Sequence, residues 1–264
     1  MTRLTHKLPS FSNVAAGSTA TLELPLGLSY HLLNLEFSGL TLAQMKNIRV
    51  EVDGKTVQKW KDGNRLNSLT GHYQRGGATA SILPIWFIRK ELEELAQQRM
   101  FALGTLDVST LHLLIDIDSA ATNPQLKAYA VKGNQGPLGM ITKIKTFPVS
   151  FATGGEVEID NLPLPKTARI AAIHLYSNEV THCELEMNGN KVFEQSKTMA
   201  GKLQTDYGRD PQTADKMTLD FMLEGDIAQA LRLDNVQDFR LRPTLSAPGA
   251  VDVVVEYLDI FDGI

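Results

Sequence analysis

A single cysteine among 264 residues, Cys183, excludes an intramolecular disulfide and any thiolate metal cluster. Its setting, THCELEM at 181–187, alternates apolar and polar residues as a strand does, so the thiol reads as a small buried hydrophobe rather than a nucleophile. Basic runs are missing too. Lys and Arg number 26 against 30 Asp and Glu, a formal charge of −4, and no stretch gathers positive charge to neutralise phosphates, so direct contact with nucleic acid is not expected. No apolar run approaches the roughly 20 residues that span a bilayer, which leaves no transmembrane segment. The opening MTRLTHKLPS lacks the apolar core of a secretory signal, so the chain is expected to stay in the cytoplasm of the cell that makes it. Aromatic residues are 7% and evenly spread, which disfavours the stacking face of a carbohydrate-binding β-sandwich. Catalytic signatures are absent as well: no Gly-rich phosphate loop follows a strand, and HExxH, GxSxG and CxxC do not occur.

Helical periodicity is scarce. The clearest instance is 89–100, where Leu92, Leu95, Ala96 and Met100 form an apolar stripe between charged residues and predict a short amphipathic helix. Met100, Phe101 and Leu103 are expected to pack it and Gly104 to end it. Segments 42–46, 196–205 and 226–231 carry weaker helical signals, the last with Asp226 as its cap.

Short strand-like segments, rich in β-branched residues and separated by Gly, Pro, Asn and Asp, fill the rest. They recur as a repeat. IRVEVDGKTV at 48–57 parallels CELEMNGNKV at 183–192: an alternating strand, a turn dipeptide, and the start of a second strand. Asp53-Gly54 and Asn188-Gly189 are hairpin signals, because a type I′ turn needs positive φ at both central positions. Upstream of each, a small-residue turn, a polar strand, a Leu-Pro and a longer apolar strand follow in one order: 15–17, 19–24, Pro25 and 30–37 against 152–155, 156–159, Pro163 and 169–176. The halves also end alike, with 111–117 then 126–131 matching 239–242 then 251–258. A duplicated all-β unit of about 130 residues with about eight short strands points to two β-sandwiches in tandem, jelly rolls being the natural candidate. The flexible 133–139 stretch places the boundary just beyond it, giving expected domains 1–145 and 146–264.

Candidate chemistry is thin. Asp116 and Asp118 flank Ile117, so on a strand their carboxylates share one face about 7 Å apart along the chain. They are candidate calcium ligands, with solvated acids at a strand end as the plainer reading. The six histidines (His6, His31, His72, His112, His174, His182) are scattered, and His174 reads as a hydrogen-bonded strand residue. Glu224 and Asp226 alternate as hydrolase carboxylates do, but the segment DFMLEGD at 220–226 reads better as a strand end, a turn and a helix cap. Trp60 and Trp86 suit a core, and Pro84 marks 82–87 as an edge or bulged strand where a neighbouring subunit docks.

QQRMFALGT at 97–105, RIAAIH at 169–174 and DFMLEGD at 220–226, together with NVAAG at 13–17 and the 48–54 hairpin, resemble collinear segments of the major capsid protein of the corticoviruses, tailless bacteriophages with an internal membrane. The resemblance runs to Glu256-Tyr257 and is weakest at 60–81, 132–146 and 195–215. It implies a tandem double jelly roll that assembles as a homotrimer, a pseudo-hexagonal capsomer of an icosahedral capsid, with neighbouring capsomers and vertex and membrane-associated virion proteins as partners. It implies no enzyme activity and no required cofactor. A free phage and an integrated prophage fit equally. The rival readings are a carbohydrate-binding β-sandwich and a minor vertex or spike component.

Overall fold

The computed structural model describes residues 3–263. The chain divides into two compact units, 1–144 and 145–264.

In the first unit the strands run β1 (Leu4–Lys7), β2 (Thr19–Glu23), β3 (Tyr30–Ser38), β4 (Met45–Val52), β5 (Lys55–Asp62), β6 (Ile82–Trp86), β7 (Leu111–Ile117) and β8 (Gln125–Lys132), with helices α1 (Gly63–His72) and α2 (Leu95–Met100) on either side of β6. They form two four-stranded runs, β1-β8-β3-β6 and β2-β7-β4-β5. In β7 the alternation of the sequence LHLLIDI is the burial pattern itself: Leu111, Leu113, Ile115 and Ile117 are buried, His112, Leu114 and Asp116 only partly. Each such fully buried Leu or Ile contributes about 1.5–3 kcal/mol relative to exposure.

The second unit is entered along β9 (Ile141–Phe151) and continues with β10 (Gly155–Glu156), β11 (Arg169–Tyr176), β12 (Val180–Met187), β13 (Asn190–Ser196), α3 (Lys197–Asp206), β14 (Lys216–Asp220), β15 (Leu231–Arg232), β16 (Phe239–Leu245) and β17 (Gly249–Asp259). Its strands lie in the orders β9-β17-β11-β14 and β10-β16-β12-β13. Setting aside the two-residue β15, eight strands numbered within each unit give the same permutation twice, 1-8-3-6 and 2-7-4-5. This is the jelly-roll winding, two antiparallel sheets whose neighbours are mostly not consecutive in sequence. The core of the second unit gathers Ile170, Ile173, Leu185, Leu219, Leu241, Val253 and Tyr257. β11 is buried from Ile170 to Tyr176, as a strand covered on both faces must be.

The duplication extends to atomic detail. Asp53 and Gly54 have φ of 46° and 77°, Asn188 and Gly189 49° and 77°, the type I′ geometry predicted from the dipeptides. Both hairpins carry a register shift two to three residues before the turn, at Val50/Glu51 and Leu185/Glu186. Asp53 Oδ1 accepts from the N–H groups of Ser109 (2.8 Å) and Thr110 (2.7 Å), and Asn188 Oδ1 accepts from those of Gln237 (2.9 Å) and Asp238 (3.1 Å). In each unit those amides lie in the two residues before the seventh strand. The two Leu-Pro carbonyls also share a role, Pro25 accepting from Tyr30 Oη (2.7 Å) and Pro163 from Tyr257 Oη (2.9 Å).

The helical expectations need correction. Segment 89–100 is helical only over Leu95–Met100, and Leu95 and Met100 are exposed while Leu92 is buried. Arg89 and Glu91 are drawn into a buried ionic cluster that the helix cannot accommodate. Gly104 does not cap α2. It sits where the chain passes Pro137 so closely that a Cβ would lie 2.0 Å from the Pro137 carbonyl oxygen. Segments 42–46 and 226–231 reduce to single 3-10 turns, Leu42–Gln44 and Ile227–Gln229, the second capped by Asp226 as expected. α1 was not expected. Its sequence GNRLNSLTGH is poor in helix formers, but Asp62 caps it by accepting from Arg65 N, and Leu66, Leu69 and His72 bury one face. α1 and α3 each follow the fifth strand of their unit, so they are one repeated element.

Candidate assembly surfaces

Strand edges and outward helix faces are what this fold offers to partners. β6 closes one edge of the sheet β1-β8-β3-β6, with Pro84 opposite Asn34. An edge tolerates proline because one side of the strand has no ladder partner. Ile82 is exposed and Trp86 half-buried on this strand. Its counterpart β14 is buried along its whole length.

The repeated helix also diverges. α1 turns Leu66 and Leu69 inward, whereas α3 buries only the small or polar Ala200, Gly201 and Gln204. Met199, Leu203 and Tyr207, spaced i, i+4, i+8, stand exposed on its outer side. Lys202 and Asp206 flank that stripe with an ion pair of 2.5 Å. The helical signal at 196–205 is met by α3, but which of its faces turns outward depends on what packs beneath it.

The acidic pair lies at the end of β7 as its alternation requires, and each carboxylate is engaged by basic and neutral donors. Asp116 accepts from Thr19 Oγ1 (2.8 Å), Asn47 Nδ2 (3.1 Å) and Arg49 Nη1 (3.2 Å). Burial opposes its charge, but those donors outweigh it and hold the pKa below the ordinary value. Asp118 pairs with Lys46 and accepts from Ala120 N (2.8 Å), and these bonds, Lys46 foremost, lower its pKa. Among the described residues no group of three or more His, Cys, Asp or Glu side chains is placed to hold a metal ion.

Buried polar groups serve packing. In the first unit Glu91 is gripped by Arg75 (2.6 and 2.5 Å) and by Arg89 (2.9 Å), and both guanidiniums lie over Tyr73, 4.2 and 5.0 Å from its ring centre. Burial alone raises the Glu91 pKa, yet the two arginines bring it below the ordinary value. No spacing rule announces this cluster, because Arg75 and Glu91 are 16 residues apart. In the second unit His174 lies between Thr218 Oγ1 (2.9 Å) and Glu256 Oε1 (3.1 Å), and Arg209 joins Asp220 (3.0 Å) to the Met222 carbonyl (2.7 Å). His174 is fully buried and Glu256 nearly so, which bars a substrate from both. Glu224 accepts from Gln229 Nε2 and Asp226 from Ala228 N, so the alternating carboxylates shape a turn. Burial, then the Glu184 charge, pushes the Cys183 thiol far up, leaving no thiolate for nucleophilic chemistry.

With no catalytic constellation in place, comparison with known proteins bears on the fold and its surfaces. Residues 5–133 match the family of the viral coat protein P2 N-terminal domain, and 141–261 that of the P2 C-terminal domain. The major capsid protein P2 of Pseudoalteromonas phage PM2 is 35% identical over 264 residues, covering 96% of each chain. The crystal structure of the major capsid protein P2 from bacteriophage PM2 superposes with a TM-score of 0.96 at 34% identity over the whole of both chains. The STIV MCP shares only 11% identity but has a TM-score of 0.75 over 99% of this chain and 98% of its own, a likeness of fold alone.

Proposed function

The chain belongs to the viral coat protein P2 family, matched in both its domains, and on that premise we propose that it is the major capsid protein of a tailless, membrane-containing bacteriophage or prophage. It is a structural protein of the virion and not an enzyme. The observation that carries this is the jelly-roll permutation repeated twice in one chain. Three chains with two similar rolls each present six similar outlines, so a closed homotrimer tiles a nearly hexagonal lattice while obeying ordinary cyclic symmetry. Ile82 and Trp86 on the edge strand β6 and the apolar stripe of α3 supply surfaces for contacts among copies, which in a permanent shell bury more than about 2,000 Å² in total. Among the described residues no helix is long and apolar enough to cross a membrane. Contacts with vertex and membrane-associated virion proteins are part of the proposal. So is calcium at Asp116 and Asp118, an ion that must compete there with Lys46 and Arg49.

Size-exclusion chromatography with light scattering tests the reading. A species of about three chain masses is expected, and electron microscopy of it shows pseudo-hexagonal outlines. A stable monomer with measurable glycan affinity overturns it in favour of the carbohydrate-binding sandwich.

A further inference from the structure

The first unit holds a cavity of about 210 Å³ where four chain segments converge: Arg3 just before β1, the start of β3, the end of α2 with the loop after it, and the loop after β8. Backbone bonds fix the last three. Gly133 N donates to the Ser29 carbonyl (2.8 Å), Ser29 N to the Asn134 carbonyl (3.2 Å), Phe87 N to the His31 carbonyl (3.0 Å), and Tyr30 and Leu103 exchange two bonds of 2.9 and 3.0 Å. The loop after β8 reaches the His31 ring only because residue 133 is glycine, since a Cβ there would lie 2.5 Å from Nε2. The walls built by these three segments are therefore formed before any ligand arrives, with exposed Arg3 at the rim.

Among the described residues its ionisable lining is basic, Arg3, His31 and Arg99, in a chain whose formal charge is −4. Ser29, Asn134 and Gln135 add neutral hydroxyl and amide groups. We propose that this cavity is a binding site for a small inorganic oxyanion of the sulfate and phosphate class, held between the Arg3 and Arg99 guanidiniums with His31 at its wall. Planar guanidinium forks suit such oxyanions, and the Ser29, Asn134 and Gln135 side chains are further potential donors at the wall.

The imidazole gives the site a pH signature. Burial first, then the charges of Arg99 and Arg3, lower the His31 pKa, so the empty site holds a neutral ring near pH 7. The remaining nearby cation, Lys132 on β8, is turned onto the Tyr30 ring (4.2 Å) and the Pro25 carbonyl (3.4 Å). A bound dianion reverses the local field, and the ring takes up a proton. Binding therefore tightens as pH falls.

Sulfate is the probe, because it keeps both charges across the range and any pH dependence belongs to the protein. The full-length protein is titrated with sodium sulfate at pH 5.5 and 8.0 by calorimetry, and the His31 ring is followed by NMR. Expected are saturable binding that is tighter at pH 5.5, an upward move of the His31 titration midpoint with sulfate, and displacement by inorganic phosphate. Arg3→Gln and Arg99→Gln each weaken binding roughly fivefold or more. His31→Gln abolishes the pH dependence and keeps binding at pH 8.0. Arg3 is exposed, so its variant tests the site even where Arg99→Gln disturbs folding. Absence of saturable binding at pH 5.5, equal competition by chloride at matched ionic strength, or unchanged affinity in Arg3→Gln overturns the proposal.

Discussion

Replacing Asp53 with alanine removes one oxygen that holds two backbone N–H groups, those of Ser109 and Thr110 at 2.8 and 2.7 Å. It also leaves an ordinary Cβ residue at φ 46°. The bonds are exposed, so each is worth about 0.5–1 kcal/mol net rather than the larger value of a buried charge-assisted bond. The left-handed backbone adds about 1 kcal/mol for alanine, whereas Asp and Asn tolerate it. Together the loss is about 2–3 kcal/mol, or a fall of roughly 4–12 °C in melting temperature for a chain of this size. Asp53→Asn should cost little, because Asn188 performs the same task in the second unit through the same Oδ1. Urea unfolding gives the energies, and hydrogen exchange of the Ser109 and Thr110 amides localises them. Reciprocal variants Asn188→Ala and Asn188→Asp should repeat the pattern at Gln237 and Asp238. The reasoning fails if Asp53→Asn is as damaging as Asp53→Ala, or if neither alanine variant speeds exchange at its paired amides.

Glu91→Gln removes the carboxylate that Arg75 and Arg89 share, their side chains 9% and 1% exposed, and should lower stability by about 3–5 kcal/mol in denaturant titration; an unchanged midpoint contradicts the cluster's role. The folded pKa values of Glu91 and Asp116 lie below their unfolded values near 4, so their contribution is present above about pH 4 and lost as pH falls through the lower folded values. Urea midpoints should hold level from pH 7 to 5 and drop below about pH 4, with a shallower drop in Glu91→Gln. At the acidic pair a calcium ion must displace Lys46 and Arg49 from Asp118 and Asp116, so added calcium should raise the melting temperature of the wild type and not that of Asp116→Asn/Asp118→Asn; a wild-type transition unchanged by calcium and by chelator removes the ion.

What could be read from the chain was what depends on near neighbours. The two hairpins were legible because Asp-Gly and Asn-Gly satisfy a local backbone demand, and β7 because its alternation survives intact into burial. The 89–100 helix misled for a related reason: its apolar stripe is a local pattern, but the Arg75–Glu91–Arg89 cluster, built from residues distant in sequence, takes the first half of it. α1 escaped notice because its stability comes from the Asp62 cap and from burial of Leu66 and Leu69, neither of which outweighs two glycines and two asparagines when propensity alone is weighed. The basic cavity could not have been found at all, since residues 3, 31 and 99 meet only through the winding of the roll.

The two copies agree where a fold is specified and differ at the surfaces proposed to meet partners. Permutation, hairpin, bulge, turn clamp and Leu-Pro carbonyl are held in common, and all of them are internal constraints that any working jelly roll of this design must satisfy. The edge strand shows Ile82 and half of Trp86 to solvent in β6 and is buried throughout in β14, and the repeated helix is apolar inward in α1 and apolar outward in α3. Six copies of one roll would give six identical environments and a true six-fold ring. Two unequal rolls on one chain keep the hexagonal outline while allowing alternate positions to carry different contacts. Separate surfaces on a shared fold are what a subunit needs if it is to meet its own capsomer on one side and its neighbours on another, and that division of labour accounts for why the duplication was kept and why its outer surfaces were not.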